Sequence, residues 1–127
     1  MNTSGYTTID INGQTVGLKF GLPAIRQIGE FQAKVPFYEG QQYSDIGIAH
    51  IIFAGYCCNQ LMKMADQALT FEQVYEYVEE RIANVEAVVA ELKPVIECFE
   101  NSKFLKPFAE AQAKPEDTKK KNSTGKK

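Results

Sequence analysis

The residues able to carry out covalent chemistry are few: one histidine, His50, and three cysteines, Cys57, Cys58 and Cys98. A histidine beside a cysteine can form a nucleophilic pair, in which the imidazole accepts the thiol proton. Cys57 follows His50 by two helical turns, which is too far for a direct hydrogen bond. We therefore favour a core role for all four, with a partly buried histidine and cysteines as small apolar filler.

Metal and cofactor sites are not predicted either. A single histidine excludes every motif with two histidine ligands, and Cys57-Cys58 lacks the C-x-x-C spacing. The chain has no phosphate-binding glycine loop and no G-x-S-x-G motif. An odd, badly spaced set of cysteines also argues against a disulfide scaffold and favours a reducing cytoplasm. We predict that the chain is not an enzyme and needs no cofactor.

Composition predicts one ordinary folded domain. The chain has 127 residues, of which 44% are hydrophobic and 24% charged, so it has enough apolar surface to form a core. Its most apolar stretch, Ile46–Cys58, contains His50 and is well short of the about 20 residues needed to cross a bilayer. The first residues lack the basic start and apolar run of a secretory signal. We therefore expect no contact with a membrane.

Charge is unevenly distributed along the chain. From Lys106 onward there are seven lysines and three acidic residues, a net charge of +4, whereas the residues before it carry a net charge of −6. The lysines could contact nucleic acid, but no aromatic side chain lies among them and the body would repel phosphate, so a solubilising tail is favoured. An acidic stripe further upstream could bind a basic partner, although a solvated helix face is the simpler interpretation; it comprises Glu72, Glu76, Glu79 and Glu86.

The first third of the chain predicts a β-hairpin followed by a helix. Tyr6–Ile11 has strand-forming residues, and Asn12-Gly13 is a strong signal for a type I′ turn into a second strand, Gln14–Phe20. A helix is expected to start near Pro23, because proline suits a first helical turn. Lys34–Tyr43, with Pro36 and Gly40, is predicted to be a loop.

Three further helical segments are predicted. Ser44 can cap a helix over Ile46–Ala65, which is apolar on nearly every side and is therefore expected to be central. Thr70 and Gln73 form a capping box, after which apolar residues recur every three or four positions up to Leu92. Pro94 either interrupts that helix or starts a new one, and a last apolar segment follows; its members are Val95, Ile96, Phe99, Phe104, Leu105 and Phe108.

The predicted fold class is therefore α+β: an N-terminal β-hairpin packed on a mainly helical bundle of about four helices. Residues 1–108 form the single folded domain. Residues 109–127, which are nearly devoid of apolar side chains, form a Lys-rich disordered tail.

Several segments of the chain resemble the tail assembly chaperones of long-tailed bacteriophages. The residues Ile9-Asp-Ile-Asn-Gly-Gln-Thr-Val-Gly-Leu-Lys-Phe-Gly-Leu-Pro-Ala-Ile-Arg-Gln-Ile28 are similar to that family's opening, a short strand, an I-N-G-K type turn, L-K-F-G and a helix of A-L-R-x-L type. Further similarities are the apolar central helix at Ile51-Ile-Phe-Ala-Gly55, the L-T-x-E-x-V helix start at Leu69-Thr-Phe-Glu-Gln-Val-Tyr75, and the closing Ser102-Lys-Phe-Leu-Lys106. The resemblance covers about residues 6–106.

The resemblance implies a function without catalysis. Such chaperones bind the long, helical tape measure protein, keep it soluble and help recruit tail tube subunits, and they are absent from the finished virion. The implied location is the host cytoplasm. Many members also make a longer product by ribosomal frameshifting, so a longer form of this chain is a further candidate partner; Lys119-Lys-Lys-Asn122 could be encoded by a slippery, adenine-rich run. The alternative is a small virion structural or adaptor protein, such as a head–tail connector component.

A chaperone of this kind needs exposed apolar surface for its partner's helices. The candidate partner-binding residues are aromatic side chains in the loop Val35–Tyr43 and beside the apolar face of the helix that starts after Thr70. They are Phe37, Tyr38, Tyr43, Tyr75 and Tyr77. Each of them is equally compatible with packing beneath a loop or at a helix edge.

Overall fold

The computed structural model describes residues 5–40 and 42–102. Its first element is the expected hairpin, in which β1 (Tyr6–Ile11) pairs antiparallel with β2 (Gln14–Lys19). Asn12 and Gly13 both have positive φ, 54° and 80°, as a type I′ turn requires. The apolar face of the hairpin is directed into the core, where Ile9, Ile11, Leu18 and Phe20 are buried.

Helix α2 (Asp45–Lys63) is the centre of the domain, as its composition predicts. Eleven of its 19 residues are buried, and β2, α1 (Leu22–Gln32) and α3 (Phe71–Ile82) all pack against it. Ser44 caps α2 by accepting the Gly47 N–H at 2.9 Å. Pro23 lies in the first turn of α1, and the Thr70–Gln73 capping box starts α3. The predicted α+β arrangement of a hairpin on a helical bundle is confirmed.

The predicted helix from Phe71 to Leu92 is wrong at its middle. Helix α3 ends at Ile82, and Asn84 starts a new helix by accepting the N–H groups of Glu86 and Ala87. The new helix contains α4 (Val85–Ala87), a π-helical segment (Val88–Leu92) and α5 (Lys93–Glu100). Apolar residues recur every three or four positions in each of the two helices, so the spacing continues across the break. The spacing alone therefore did not reveal the change in direction.

Pro94 is accommodated without ending this last helix. In the π-helical segment the N–H of Lys93 donates to the carbonyl of Val88, five residues earlier. The wider turn precedes the position where proline removes a regular hydrogen bond and would crowd the carbonyl four residues before it. As a result Leu92, Val95 and Phe99 face the core.

The predicted loop Lys34–Tyr43 contains a second, very short hairpin. β3 (Tyr38–Glu39) pairs with β4 (Gln42–Tyr43), and Gly40 in the intervening turn has a positive φ of 66°. The predicted apolar residues Phe104, Leu105 and Phe108, the end of the folded domain at residue 108 and the tail 109–127 all lie outside the described residues.

Candidate partner-binding surface

Tyr38 and Tyr43, two of the candidate partner-binding residues, form an aromatic pair in which Tyr38 is exposed and Tyr43 is half-buried. They are cross-strand partners in the β3–β4 hairpin, and their rings stack with centroids 5.3 Å apart and an interplanar angle of 24°. Tyr38 is 50% exposed, and its hydroxyl accepts a hydrogen bond from the Gln32 side chain at 3.2 Å. Tyr38 therefore leaves apolar ring area exposed at the surface of the short hairpin.

Phe37 is not part of that surface, so the expectation that it is exposed is wrong. Its side chain is only 4% exposed and packs edge-on against Tyr43, with ring centroids 5.8 Å apart. Tyr43 in turn contacts Phe99 and donates its hydroxyl proton to Glu100 at 3.1 Å. Burial, followed by the charge of Glu100, raises the pKa of Tyr43 well above its usual value of 10.0. Tyr43 thus connects the short hairpin to α5, and Phe37 packs behind it.

Tyr75 joins two helices rather than standing free at a helix edge. Its hydroxyl donates to Asp45 at 2.7 Å, linking α3 to the first turn of α2. This hydrogen bond is the main reason that the pKa of Tyr75 is raised to about 12. Tyr75 is half-buried, so only part of its ring remains for a partner.

Tyr77 is also buried, at 4% exposed, which corrects its prediction as a surface residue. Its hydroxyl donates to Glu91 at 3.2 Å, and the guanidinium of Arg81 lies 4.0 Å above its ring and donates to the same carboxylate at 2.9 Å. Burial raises the pKa of Tyr77 to about 12, and the hydrogen bond from Arg81 lowers the pKa of Glu91. The three side chains hold α3 against the π-helical segment.

Sequence reasoning missed an exposed apolar patch at the end of α2. Leu61 and Met62 are 57% and 58% exposed, and Met64 is 94% exposed. Met64 has the left-handed conformation, with φ 56° and ψ 38°. Its N–H donates to the Leu61 carbonyl and the N–H of Ala65 to the Gln60 carbonyl, which is the Schellman pattern of helix termination. Leu61, Met62 and Met64 are called the methionine patch below.

A second group of exposed apolar residues lies where α3 gives way to α4. Ile82, Val85 and Val89 are 41%, 77% and 56% exposed. All three belong to the apolar spacing that predicts one continuous helix from Phe71 to Leu92. Ile82 ends α3 before the break, whereas Val85 and Val89 belong to the new helix that Asn84 starts. This second apolar surface lies at a helix break that the apolar spacing did not reveal.

His50 and the three cysteines, the candidates for covalent chemistry, lie inside the core. His50 is 8% exposed and lies between the rings of Phe31 and Phe71, whose centroids are 3.7 Å and 4.5 Å from its own. Its Nδ1 atom has no hydrogen-bond partner, and burial lowers the pKa of the imidazole. The three free cysteines are buried, and burial raises the pKa of Cys57 and of Cys98. A thiol with a raised pKa forms less of the reactive thiolate.

Clefts lie on both sides of the hairpin tip. One, of about 330 Å³, separates β2 from the last turn of α2 and the first turn of α3, and Gln60, Lys63 and Gln73 contribute to its wall. The other, of about 290 Å³, separates the tip from Glu76, Glu80 and Arg81 of α3. Within residues 5–40 and 42–102, no group of three or more histidine, cysteine or acidic side chains is placed to hold a metal ion. None of the helices in these ranges is long and apolar enough to span a membrane.

Comparison of this chain with protein-family models, with curated proteins and with solved structures finds no match.

Proposed function

We propose that this chain is a tail assembly chaperone of a long-tailed bacteriophage, which binds and solubilises the tape measure protein and helps recruit tail tube subunits. The observation that carries the proposal is the exposure of large apolar side chains at the ends of well-packed helices. A monomeric domain gains nothing in stability from Leu61, Met62, Met64 or Val85 in water, whereas a protein that shields the apolar faces of other helices needs such side chains.

The resemblance in sequence supports the proposal because its segments coincide with discrete structural elements. The strand, Asn-Gly turn and L-K-F-G segment correspond to the β1–β2 hairpin, and the residues after them to α1. The L-T-x-E-x-V segment coincides with the capping box and first turn of α3. In the proposed role the chain acts in the host cytoplasm and leaves the particle before the virion is complete. The proposal includes no catalytic step, no cofactor and no binding to membranes or nucleic acid.

Co-expression with the tape measure protein of the same phage tests the proposal. The chain should raise the soluble yield of that protein and co-purify with it, and it should be absent from purified virions. Recovery of the chain from virions would instead indicate the structural or adaptor role, and an unchanged yield of soluble tape measure protein would refute the chaperone function. In the genome we expect this gene between those of the tail tube and the tape measure protein, followed by an overlapping frame.

Tyr38→Ala tests the aromatic surface in the same assay. Tyr38 is half exposed and is the aromatic residue of the short hairpin that a partner can reach most easily. Its loss should lower the yield of soluble partner with little change in melting temperature, because its ring covers little of the core. The matched control is Tyr6→Ala, at an aromatic residue of similar exposure on β1. An equal loss of yield in both variants would contradict a specific role for Tyr38.

A further inference from the structure

Backbone groups on the outer edge of β2 border the cleft between that strand and α2. In the described part of the chain β2 pairs with β1 on one side only. Opposite residues of an antiparallel pair alternately exchange hydrogen bonds and point their backbone groups outward. The N–H of Phe20 donates to the carbonyl of Gly5, which fixes this alternation. The N–H and C=O groups of Thr15 and Gly17 therefore point away from β1, and both residues line the cleft.

A buried amide without a hydrogen-bond partner lies at the same edge. Asn59 is 5% exposed and lines the cleft, and its Nδ2 atom has no partner among the described residues. Gly17 makes space for this amide, since a Cβ at that position would lie 2.6 Å from Nδ2. The large majority of buried side-chain donors in folded proteins have an acceptor. The unpaired donor of Asn59 is explained if the cleft binds a molecule that supplies one.

The size and charge of the cleft define the class of molecule. Its volume of about 330 Å³ is at the small end of the range for ligand-binding sites. The bordering stretch of β2, Gln14–Gly17, extends over about 10 Å, which matches three or four residues of an extended peptide. Among the described residues that line this cleft, Lys63 has the one charged side chain. The cleft on the other side of the hairpin tip has three carboxylates and one guanidinium, those of Asp10, Glu76, Glu80 and Arg81. A carboxylate is therefore favoured in the first cleft and disfavoured in the second.

We propose that this cleft binds a short extended peptide segment with one carboxylate, as a third strand beside β2. The backbone of the segment exchanges hydrogen bonds with Thr15 and Gly17, which is the mode of β-strand addition. The Asn59 amide turns from beneath Gly17 and donates to a carbonyl of the segment, and Lys63 pairs with its carboxylate. This chemistry differs from that of the methionine patch, because main-chain groups supply the affinity. The site therefore does not depend on the proposed function.

Labelled peptides of alternating threonine and valine test the class of ligand, with binding to the full-length protein followed by fluorescence anisotropy. One peptide ends in a free carboxylate, a second ends in an amidated aspartate, and a third ends in an amidated asparagine and is neutral. We expect at least one carboxylate peptide to bind roughly fivefold more tightly than the neutral one, and the better of the two identifies the source of the carboxylate. N-methylation of its backbone should weaken binding roughly tenfold or more, because β2 then loses its partner's donors. Equal binding of all forms, or binding of none, would overturn the proposal.

Two substitutions test the location. Thr15→Pro removes an N–H that points away from β1, at an edge position that proline tolerates, and should weaken binding of the carboxylate peptide roughly tenfold. Lys63→Gln, at an exposed side chain, should abolish the preference over the neutral peptide and keeps the test decisive if Thr15→Pro does not fold. The matched controls are Thr8→Pro, on the outer edge of β1, and Lys93→Gln, at an exposed lysine of α5. Unchanged binding in the folded test variants, or an equal loss in the controls, would overturn the assignment.

Nuclear magnetic resonance of the ¹⁵N-labelled protein tests the role of Asn59, which a change in stability would not imitate. When the carboxylate peptide is added, the side-chain amide signals of Asn59 and the backbone N–H signals of Thr15 and Gly17 should shift. The backbone signals of Glu76 and Glu80, beside the other cleft, should not. Shifts confined to residues outside the first cleft would overturn the site. An Asn59 amide signal that does not respond to bound peptide would show that water alone satisfies this donor, and would refute its part in binding.

Discussion

Replacing Gly55 by alanine is expected to destabilise the protein, although alanine is the better helix former. Gly55 lies in the middle of α2, beneath the β1–β2 hairpin. A Cβ added there would lie 2.9 Å from Cε1 and 3.0 Å from Cζ of Phe20, and 3.2 Å from Cβ of Leu18. Unstrained carbon–carbon contacts are about 3.5–4.0 Å. The alanine therefore requires the Phe20 ring, the hairpin or α2 to shift.

The magnitude follows from two opposing effects. Replacing glycine by alanine inside a helix stabilises it by about 1 kcal/mol. Overfilling a close-packed core costs about 1–3 kcal/mol, and the upper part of that range applies because Phe20 and Leu18 are completely buried and Phe20 also packs against Phe99. The expected net loss is about 1–2 kcal/mol in the free energy of unfolding. For a domain of this size that lowers the melting temperature by roughly 4–16 °C.

Gly29→Ala is the matched control for this prediction. Gly29 also lies inside a helix, α1, but it is exposed and a Cβ there would have no neighbour within 4 Å. Its replacement should stabilise the protein by about 1 kcal/mol through helix propensity alone. Urea denaturation followed by circular dichroism measures both variants. A Gly55→Ala protein as stable as Gly29→Ala would refute the described packing of Phe20 on α2.

The remaining predictions concern a helix cap, a buried titratable group and an aromatic residue of the core. Thr70→Ala should lower the free energy of unfolding by about 1 kcal/mol, because the capping box of α3 loses its hydroxyl acceptor. The control Gln73→Glu retains the box, so its urea denaturation curve should be unchanged or shifted to higher urea. Burial lowers the folded-state pKa of His50 below 6.5, so the unfolded state binds more protons and stability should fall as the pH is lowered below 6.5. In His50→Leu the free energy of unfolding should depend less on pH in this range, and a dependence identical to that of the wild type would show that other groups cause it. Phe37→Ala should cost about 3–5 kcal/mol and reduce the folded fraction, since the ring is buried, and a stable Phe37→Ala protein would contradict its place in the core.

The sequence alone determined the elements whose signals are local. Asn12-Gly13 specifies its turn because both residues tolerate positive φ, and Ser44 and the Thr70–Gln73 pair specify helix starts because their side chains bind backbone N–H groups within three residues. The central position of α2 could be predicted for a similar reason, since a helix that is apolar on nearly every side must be surrounded. Each of these features could be predicted from the residues of one segment of the chain.

The tertiary structure alone decided which apolar and aromatic side chains reach solvent. Phe37 and Tyr77 resemble surface aromatics in sequence, but Tyr43 packs against Phe37, and Tyr77 is covered by Arg81 of its own helix and by Glu91 of the π-helical segment. Val85 belongs to a regular apolar repeat, yet it is exposed because Asn84 starts a helix in a new direction. Periodicity reports which residues share a face of one helix, whereas exposure depends on which face meets another element, and contacts between residues far apart in sequence decide that.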